Sequence, residues 1–133
     1  MRKIFTLFFC AASLATGLAQ QESYFTNPVI HGDVADPSII RIDQTYYITG
    51  TSSEWAPYYP VFTSTDLVNW QQTGHVFEEK PEWTKSSFWA PEWYQHKGNV
   101  YVYYTARKQT DKISCIVVAV ADSPTGKFKD YGP

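Results

Sequence analysis

The sequence predicts an all-β chain, and three observations carry that expectation. Beyond residue 20, no stretch keeps the 3.6-residue apolar spacing of an amphipathic helix. Short runs rich in Val, Ile, Tyr and Thr recur instead, separated by turn-forming residues. The third observation is an internal repeat with a period of about 54 to 58 residues.

The first segment stands apart from this pattern. Arg2 and Lys3 precede an apolar run from Ile4 to about Leu14, and small residues lead to Gly17-Leu18-Ala19. This is the pattern of a secretory signal peptide over residues 1–19, cut after Ala19. The run is shorter than the roughly 18 to 20 apolar residues that span a bilayer, so no transmembrane segment is expected in the mature chain. Bulky Phe8 and Phe9 before Cys10 argue against a lipid anchor. The expected destination is the periplasm or the medium. About 114 residues then remain, enough for one ordinary domain. Cys115 is the lone cysteine of that mature chain, so it cannot form an internal disulfide; its apolar neighbours predict a buried, inert thiol.

The strands follow in order. SIIRI (38–42), QTYYITGT (44–51), YPVFTST (59–65), GNVYVYYTA (98–106) and CIVVAVA (115–121) are dense in β-branched and aromatic residues. Asp43-Gln44, Lys97-Gly98-Asn99 and Ser123-Pro124-Thr125-Gly126 read as tight turns between them. DPSIIRIDQTYYITGT, from Asp36, overlays APEWYQHKGNVYVYYT, from Ala90: Pro37 meets Pro91, Tyr47 meets Tyr101 and Thr51 meets Thr105. With two residues inserted, STDLVNWQQTG then matches VADSPTGKFKDYG, pairing Asp66 with Asp122, Trp70 with Phe128 and Gly74 with Gly132. The recurrence of Trp70 and Phe128 predicts a packing role between units.

Each unit has room for about four short strands, which is the make-up of a β-propeller blade. The first blade is expected at about 34–80 and the second at about 88–133. Known propellers use four to eight blades, so two would form an incomplete ring. A small two-sheet sandwich is the competing arrangement.

Asp36 is the first candidate for chemistry, because the start of an innermost propeller strand points at the central channel. Pro37 should hold Asp36 in an extended backbone. An acid there can activate a water, or it can simply accept turn hydrogen bonds. Aromatic residues make up 17% of the chain, with five Trp and ten Tyr. A β-rich core accounts for many; in an exported protein the excess also suits stacking on the apolar faces of sugars. A formal charge of -2 supplies no basic field for nucleic acid. His31, His75 and His96 share no close metal-ligand spacing, although His31 could border the site.

Six motifs in order then suggest a family: Asn27-Pro28-Val29-Ile30, Ala35-Asp36-Pro37-Ser38-Ile39, Tyr46-Tyr47, Glu54-Trp55-Ala56-Pro57, Ser64-Thr65-Asp66-Leu67-Val68-Asn69-Trp70 and Phe88-Trp89-Ala90-Pro91. Over about residues 27 to 132 the sequence resembles the first two blades of the five-bladed propeller of glycoside hydrolase family 43. The resemblance implies an inverting hydrolase of xylose- or arabinose-containing glycans such as xylan, arabinan or arabinoxylan. Asp36 matches the family's general base. Trp89 matches the position whose ring lies beside the sugar, with core packing as its alternative. Trp55 sits in a loop that helps shape the pocket and is a second candidate sugar contact. Ser53 departs from the bulky apolar residue many members carry there, which bears on the pocket wall and the sugar preference.

The resemblance places the general acid, a Glu, and the Asp that tunes it in later blades, so neither is expected in this chain. Glu54 and Glu92 are local carboxylates to which it assigns no such role, and Asp33, three residues before Asp36, is a candidate polar neighbour of the site. Some members hold calcium through ligands of later blades; no cofactor or metal is expected from these residues. Trp83 and Trp93 have no role readable from sequence. Two other classes compete with an enzyme: a glycan-binding propeller without catalysis, and an inactive gene fragment.

Overall fold

The computed structural model describes residues 24–133, so the signal segment lies outside the described residues. Eight strands are found among them: β1 (Ala35–Ile42), β2 (Thr45–Thr51), β3 (Tyr58–Ser64), β4 (Gln71–Phe77), β5 (Thr84–His96), β6 (Asn99–Lys108), β7 (Ser114–Ala121) and β8 (Lys129–Asp130). They form two four-stranded antiparallel sheets, ordered β1-β2-β3-β4 and β5-β6-β7-β8. Each sheet is a meander with neighbours adjacent in sequence, as in a propeller blade.

The repeat is visible in the strand register. Ala35 pairs with Thr51 and Ser38 with Thr49, so Asp36 and Pro37 together oppose Gly50 in a β-bulge. About 54 residues later, Trp89 pairs with Thr105 and Glu92 with Tyr103, with the same irregularity between them. The hairpins agree as well. Ile42 pairs with Thr45 across Asp43-Gln44, and His96 with Asn99 across Lys97-Gly98. Lys97 and Gly98 have φ of 48° and 80°, which suits the right-handed twist of the strands they join.

Strand β4 and the first half of β5 lack the apolar density that marks the other strands. QQTGHVF begins with three exposed polar positions, and β5 is bent by three register shifts along its length. Both are strands because their neighbours supply hydrogen-bond partners and burial, a tertiary effect that propensity does not report.

The core lies between the sheets. Along β6, Val100, Val102, Tyr104 and Ala106 face inward, and Val117, Ala119 and Ala121 of β7 continue that surface. Tyr59 and Val61 of β3 meet it from the first sheet. The fully buried Tyr59 ring packs edge-on against Tyr104, Phe88 and Phe77, with centroids 5.4, 5.9 and 6.3 Å away. Its hydroxyl donates to the Thr105 carbonyl at 2.9 Å, so the first sheet is hydrogen-bonded to the second through its own core. Burial pushes the Tyr59 and Tyr104 hydroxyls far above the ordinary tyrosine range, which keeps both as neutral donors.

The two tryptophans without a sequence assignment are structural. Trp93 is buried with its ring 5.9 Å from Phe128, and Trp83 donates its indole N–H to Asp130 Oδ2 at 2.6 Å. Tyr104 donates to the other oxygen of Asp130, also at 2.6 Å. That carboxylate ties short β8 to the core. Trp70, matched to Phe128 by the repeat, is only half-buried, and its indole N–H closes on the Leu67 carbonyl within its own turn. Cys115 is half-buried against the core rather than fully enclosed.

The Trp70 turn is organised by Asp66. Its Oδ1 accepts the backbone N–H groups of Val68 and Asn69 and the Ser64 hydroxyl, while Oδ2 accepts the Asn69 amide. The Asn69 bonds, reinforced by Val68 and Ser64, hold its carboxyl well below the usual carboxylate range.

Among the described residues, nothing covers the outer faces. Tyr94, Tyr103 and Ile116 of the second sheet are exposed, Ile116 by 79%, and Ile39 is exposed on the first. An apolar face of this kind favours association.

Three outcomes follow from this packing. Tyr59→Ala should cost roughly 3–5 kcal/mol and Tyr59→Phe about 1 kcal/mol in urea denaturation. Because the Asp66 pKa is depressed on folding, its stabilisation is complete above the unfolded carboxylate range near pH 4 and is lost as pH falls. The Tm difference between wild type and Asp66→Ala should therefore shrink below about pH 4. In sedimentation, the isolated chain should self-associate, and Ile116→Lys should shift it toward monomer.

Candidate active site

Asp36 owes its position to the bulge at the start of β1. Two residues facing one forces a local turn, and Asp36 takes it up with φ of 47°, in the left-handed region. This corrects the extended conformation expected before proline. Asp tolerates left-handed backbone better than most residues. Holding any non-glycine residue there costs about 1–3 kcal/mol, which the surrounding contacts must offset.

Two contacts do so. Gly50 lies beneath the approach to the bulge: a Cβ built on it would stand 2.9 Å from both the Ala35 carbonyl and Val34 Cγ1. Only a residue without a side chain lets Val34 and Ala35 lie this close to β2. The second contact is Thr51, whose hydroxyl donates to Asp36 Oδ2 at 2.7 Å and accepts the Ala90 N–H at 2.8 Å. One hydroxyl therefore separates the Asp36 carboxylate from the backbone immediately after Trp89. Ala90 itself has φ of 44°, the counterpart of Asp36 in the second sheet.

Trp89 is 41% exposed and lies at the same end of the sheets. Its neighbour Phe88 is buried and exchanges backbone hydrogen bonds with Ser53, at 3.1 Å in each direction. Trp93 N–H donates to Ser38 Oγ at 3.0 Å along the same seam. The Ser53 bonds join the loop after β2 to β5, and the Ser38 bond joins β1 to β5.

Trp55 rides on that loop and is 79% exposed, its backbone N–H held by the Ser52 carbonyl at 2.9 Å. It lines a cleft of about 370 Å³ together with Asp33, Thr51, Ser52, Gln72 and His75. The structure thus brings Asp36 near the Trp89 backbone through Thr51, and Trp55 near Asp33 across the cleft that Thr51 also touches.

The other sequence candidates are placed differently. Glu54 Oε1 accepts the Ser87 N–H at 2.9 Å, a bond that fixes the loop to β5. Glu92 is exposed and opposite Tyr103. His75 Nε2 shares a hydrogen bond with Gln72 at 2.9 Å, and its Nδ1 is 3.6 Å from Glu78. His96 stacks on Tyr94, and His31 is exposed. Among the described residues no group of three or more His, Cys, Asp or Glu side chains is arranged to hold a metal ion.

Thr51 is the site residue that sequence reasoning passed over. Its match to Thr105 in the repeat was readable, but nothing in the sequence distinguished a hydroxyl bridging two sheets from any β-branched strand residue.

Two repeated four-stranded sheets, with a carboxylate at the start of β1 and an exposed tryptophan part-way along β5, are two blades of a β-propeller. Residues 25–133 match Glycosyl hydrolases family 43, and the chain belongs to that family. It is 32% identical to the extracellular exo-alpha-(1->5)-L-arabinofuranosidase of Cellvibrio japonicus, over 94% of this chain and 34% of the relative. It is 33% identical to a beta-xylosidase of Formosa agariphila, over 65% of this chain and 13% of that one. The alpha-L-arabinanase of Cellvibrio cellulosa, solved with arabinohexaose bound, superposes with a TM-score of 0.63 at 32% identity, covering 76% of this chain and 35% of that structure. The chain thus spans about a third or less of these relatives, and its two sheets match part of a five-bladed propeller.

Gly50→Ala should destabilise the chain by about 1–3 kcal/mol and move the backbone of Val34 to Asp36. Chemical denaturation gives the first quantity, and amide chemical shifts at Asp36 and Ala90 report the second.

Proposed function

We propose that this chain carries the general base and part of the sugar platform of an exported, inverting glycoside hydrolase acting on arabinose- or xylose-containing plant glycans. In this reading Asp36 takes the proton from the attacking water, and Trp89 and Trp55 offer flat apolar faces to the pentose rings. The single observation that carries it is the Asp36–Thr51–Ala90 bridge, which sets a carboxylate beside the Trp89 backbone at one end of the sheets.

Inversion needs a second carboxyl group about 6.5 to 9.5 Å from the base, leaving room for the water. Glu54 is occupied in tethering its loop, and Glu92 has no bond to the bulge or to Thr51. The acid in this proposal comes from a sheet beyond these two. The names of two kinds of relative, an arabinofuranosidase and a xylosidase, support a pentose substrate without choosing between them. The extracellular arabinofuranosidase supports export.

A glycan-binding role without catalysis is favoured by one observation, the high exposure of Trp55 at the rim of the cleft. The proposal is tested in solution. On aryl β-xylosides and α-L-arabinofuranosides, the isolated chain should show no turnover. Turnover that disappears in Asp36→Asn would place the acid within this chain, and turnover that survives in Asp36→Asn would remove Asp36 from the base role. Arabino- or xylo-oligosaccharide binding by tryptophan fluorescence should weaken at least several-fold in Trp89→Ala.

A further inference from the structure

We propose that Thr51 is the positioning residue for Asp36, a single hydroxyl that sets the carboxylate in a fixed rotamer and in fixed register with Trp89. The proposal rests on the reading of Asp36 as the base for its catalytic meaning, but its geometry stands separately.

Hydrogen-bond polarity assigns every partner. A backbone N–H can only donate, so Thr51 Oγ1 must accept from Ala90. An ionised carboxylate can only accept, so the one hydroxyl proton of Thr51 goes to Asp36 Oδ2. The hydroxyl has a fixed direction because both of its roles are taken. Threonine is stiff at χ1, and Thr51 is half-buried at the end of β2, next to the tightly covered Gly50.

Asp36 is exposed and has left-handed backbone, so no side-chain packing holds its carboxylate. Thr51 provides the sole side-chain hydrogen bond to it among the described residues. With Oδ2 held, Oδ1 takes no hydrogen bond from the described residues and stays open to a water. General-base catalysis requires that oxygen within roughly 2.6–3.2 Å of the proton it removes, so a freely rotating carboxylate would lose much of its effect.

The same hydroxyl fixes the second coordinate of the site. Ala90 follows Trp89, and its N–H is the group Thr51 grips from the other sheet. Thr51 thus links the carboxylate to the backbone that follows Trp89. A threonine that only stabilised the seam would hold Ala90 just as well and would leave the rotamer of Asp36 free.

The test uses the labelled chain and side-chain NMR. In wild type, the three-bond couplings from Asp36 Cγ to its own backbone N and C′ should report one χ1 rotamer, and the Ala90 amide should be protected from exchange. Thr51→Val keeps the shape and removes both bonds. It should average the Asp36 couplings and speed Ala90 exchange by about tenfold or more. Thr51→Ser, which keeps both bonds, should restore both signals. If Thr51→Val does not fold, Thr51→Ala carries the same prediction with a smaller side chain.

Unchanged Asp36 couplings in the Val or Ala variant would overturn the proposal even where Ala90 exchange accelerates, because Thr51 would then serve the seam alone. Failure of Thr51→Ser to restore the couplings would overturn it as well. Neither result depends on turnover. Loss of the base role, shown by activity surviving in Asp36→Asn, is thus a separate outcome from loss of the Thr51 role.

Discussion

The constraint on which the rest depends is the burial of one face of each sheet against the other around Tyr59. A four-stranded meander alone exposes both faces, and among the described residues no helix covers either sheet. The aromatic cluster of Tyr59, Phe77, Phe88 and Tyr104 closes one pair of faces, and the Tyr59 hydroxyl makes the closure directional by bonding to the Thr105 carbonyl. A purely apolar seam would allow the sheets to slide. A buried donor with one acceptor penalises sliding, because displacement leaves the desolvated Tyr59 hydroxyl without a partner.

That fixed seam makes the site possible. Asp36 and Trp89 belong to different sheets, and their relation is only as rigid as the packing between those sheets. Phe88, exchanging backbone bonds with Ser53, continues the seam to within one residue of Trp89. Glu54, held on Ser87, carries it into the loop that bears Trp55. Hydrogen bonds made at the edge of the core thus transmit its order to three exposed side chains. Two of these, Asp36 and Trp89, sit on strands and are fixed by them, while Trp55 is carried by a loop.

Much of this was legible in the sequence, and the boundary of legibility has physical causes. The repeat exposed the two-sheet organisation because strand register, bulges and hairpin turns recur with one spacing, from Asp36-Pro37 to Ala90-Pro91. Asp36 stood out because a poor strand former at a strand mouth invites a reason. Strand β4 was harder to see, since its polar outward residues carry no signature until β3 pairs with it. The left-handed backbone of Asp36 ran against the local preference of a residue before proline; it arises from the bulge, which is a property of two strands. Thr51 was hidden for a related reason. Its hydroxyl has meaning only when residues 36 and 90 converge on it, and no local pattern announces a convergence. Trp83 and Trp93, conspicuous in the sequence, proved to be packing residues whose partners, Asp130 and Phe128, lie far along the chain.

The matching bends at Asp36 and Ala90 have a wider meaning. Each sheet presents at its inner mouth a seat of the same shape, already twisted out of the ordinary strand conformation by its own bulge. One seat holds an acid and the other a methyl group, so the repeat builds two equivalent backbone positions that differ in the side chain each carries.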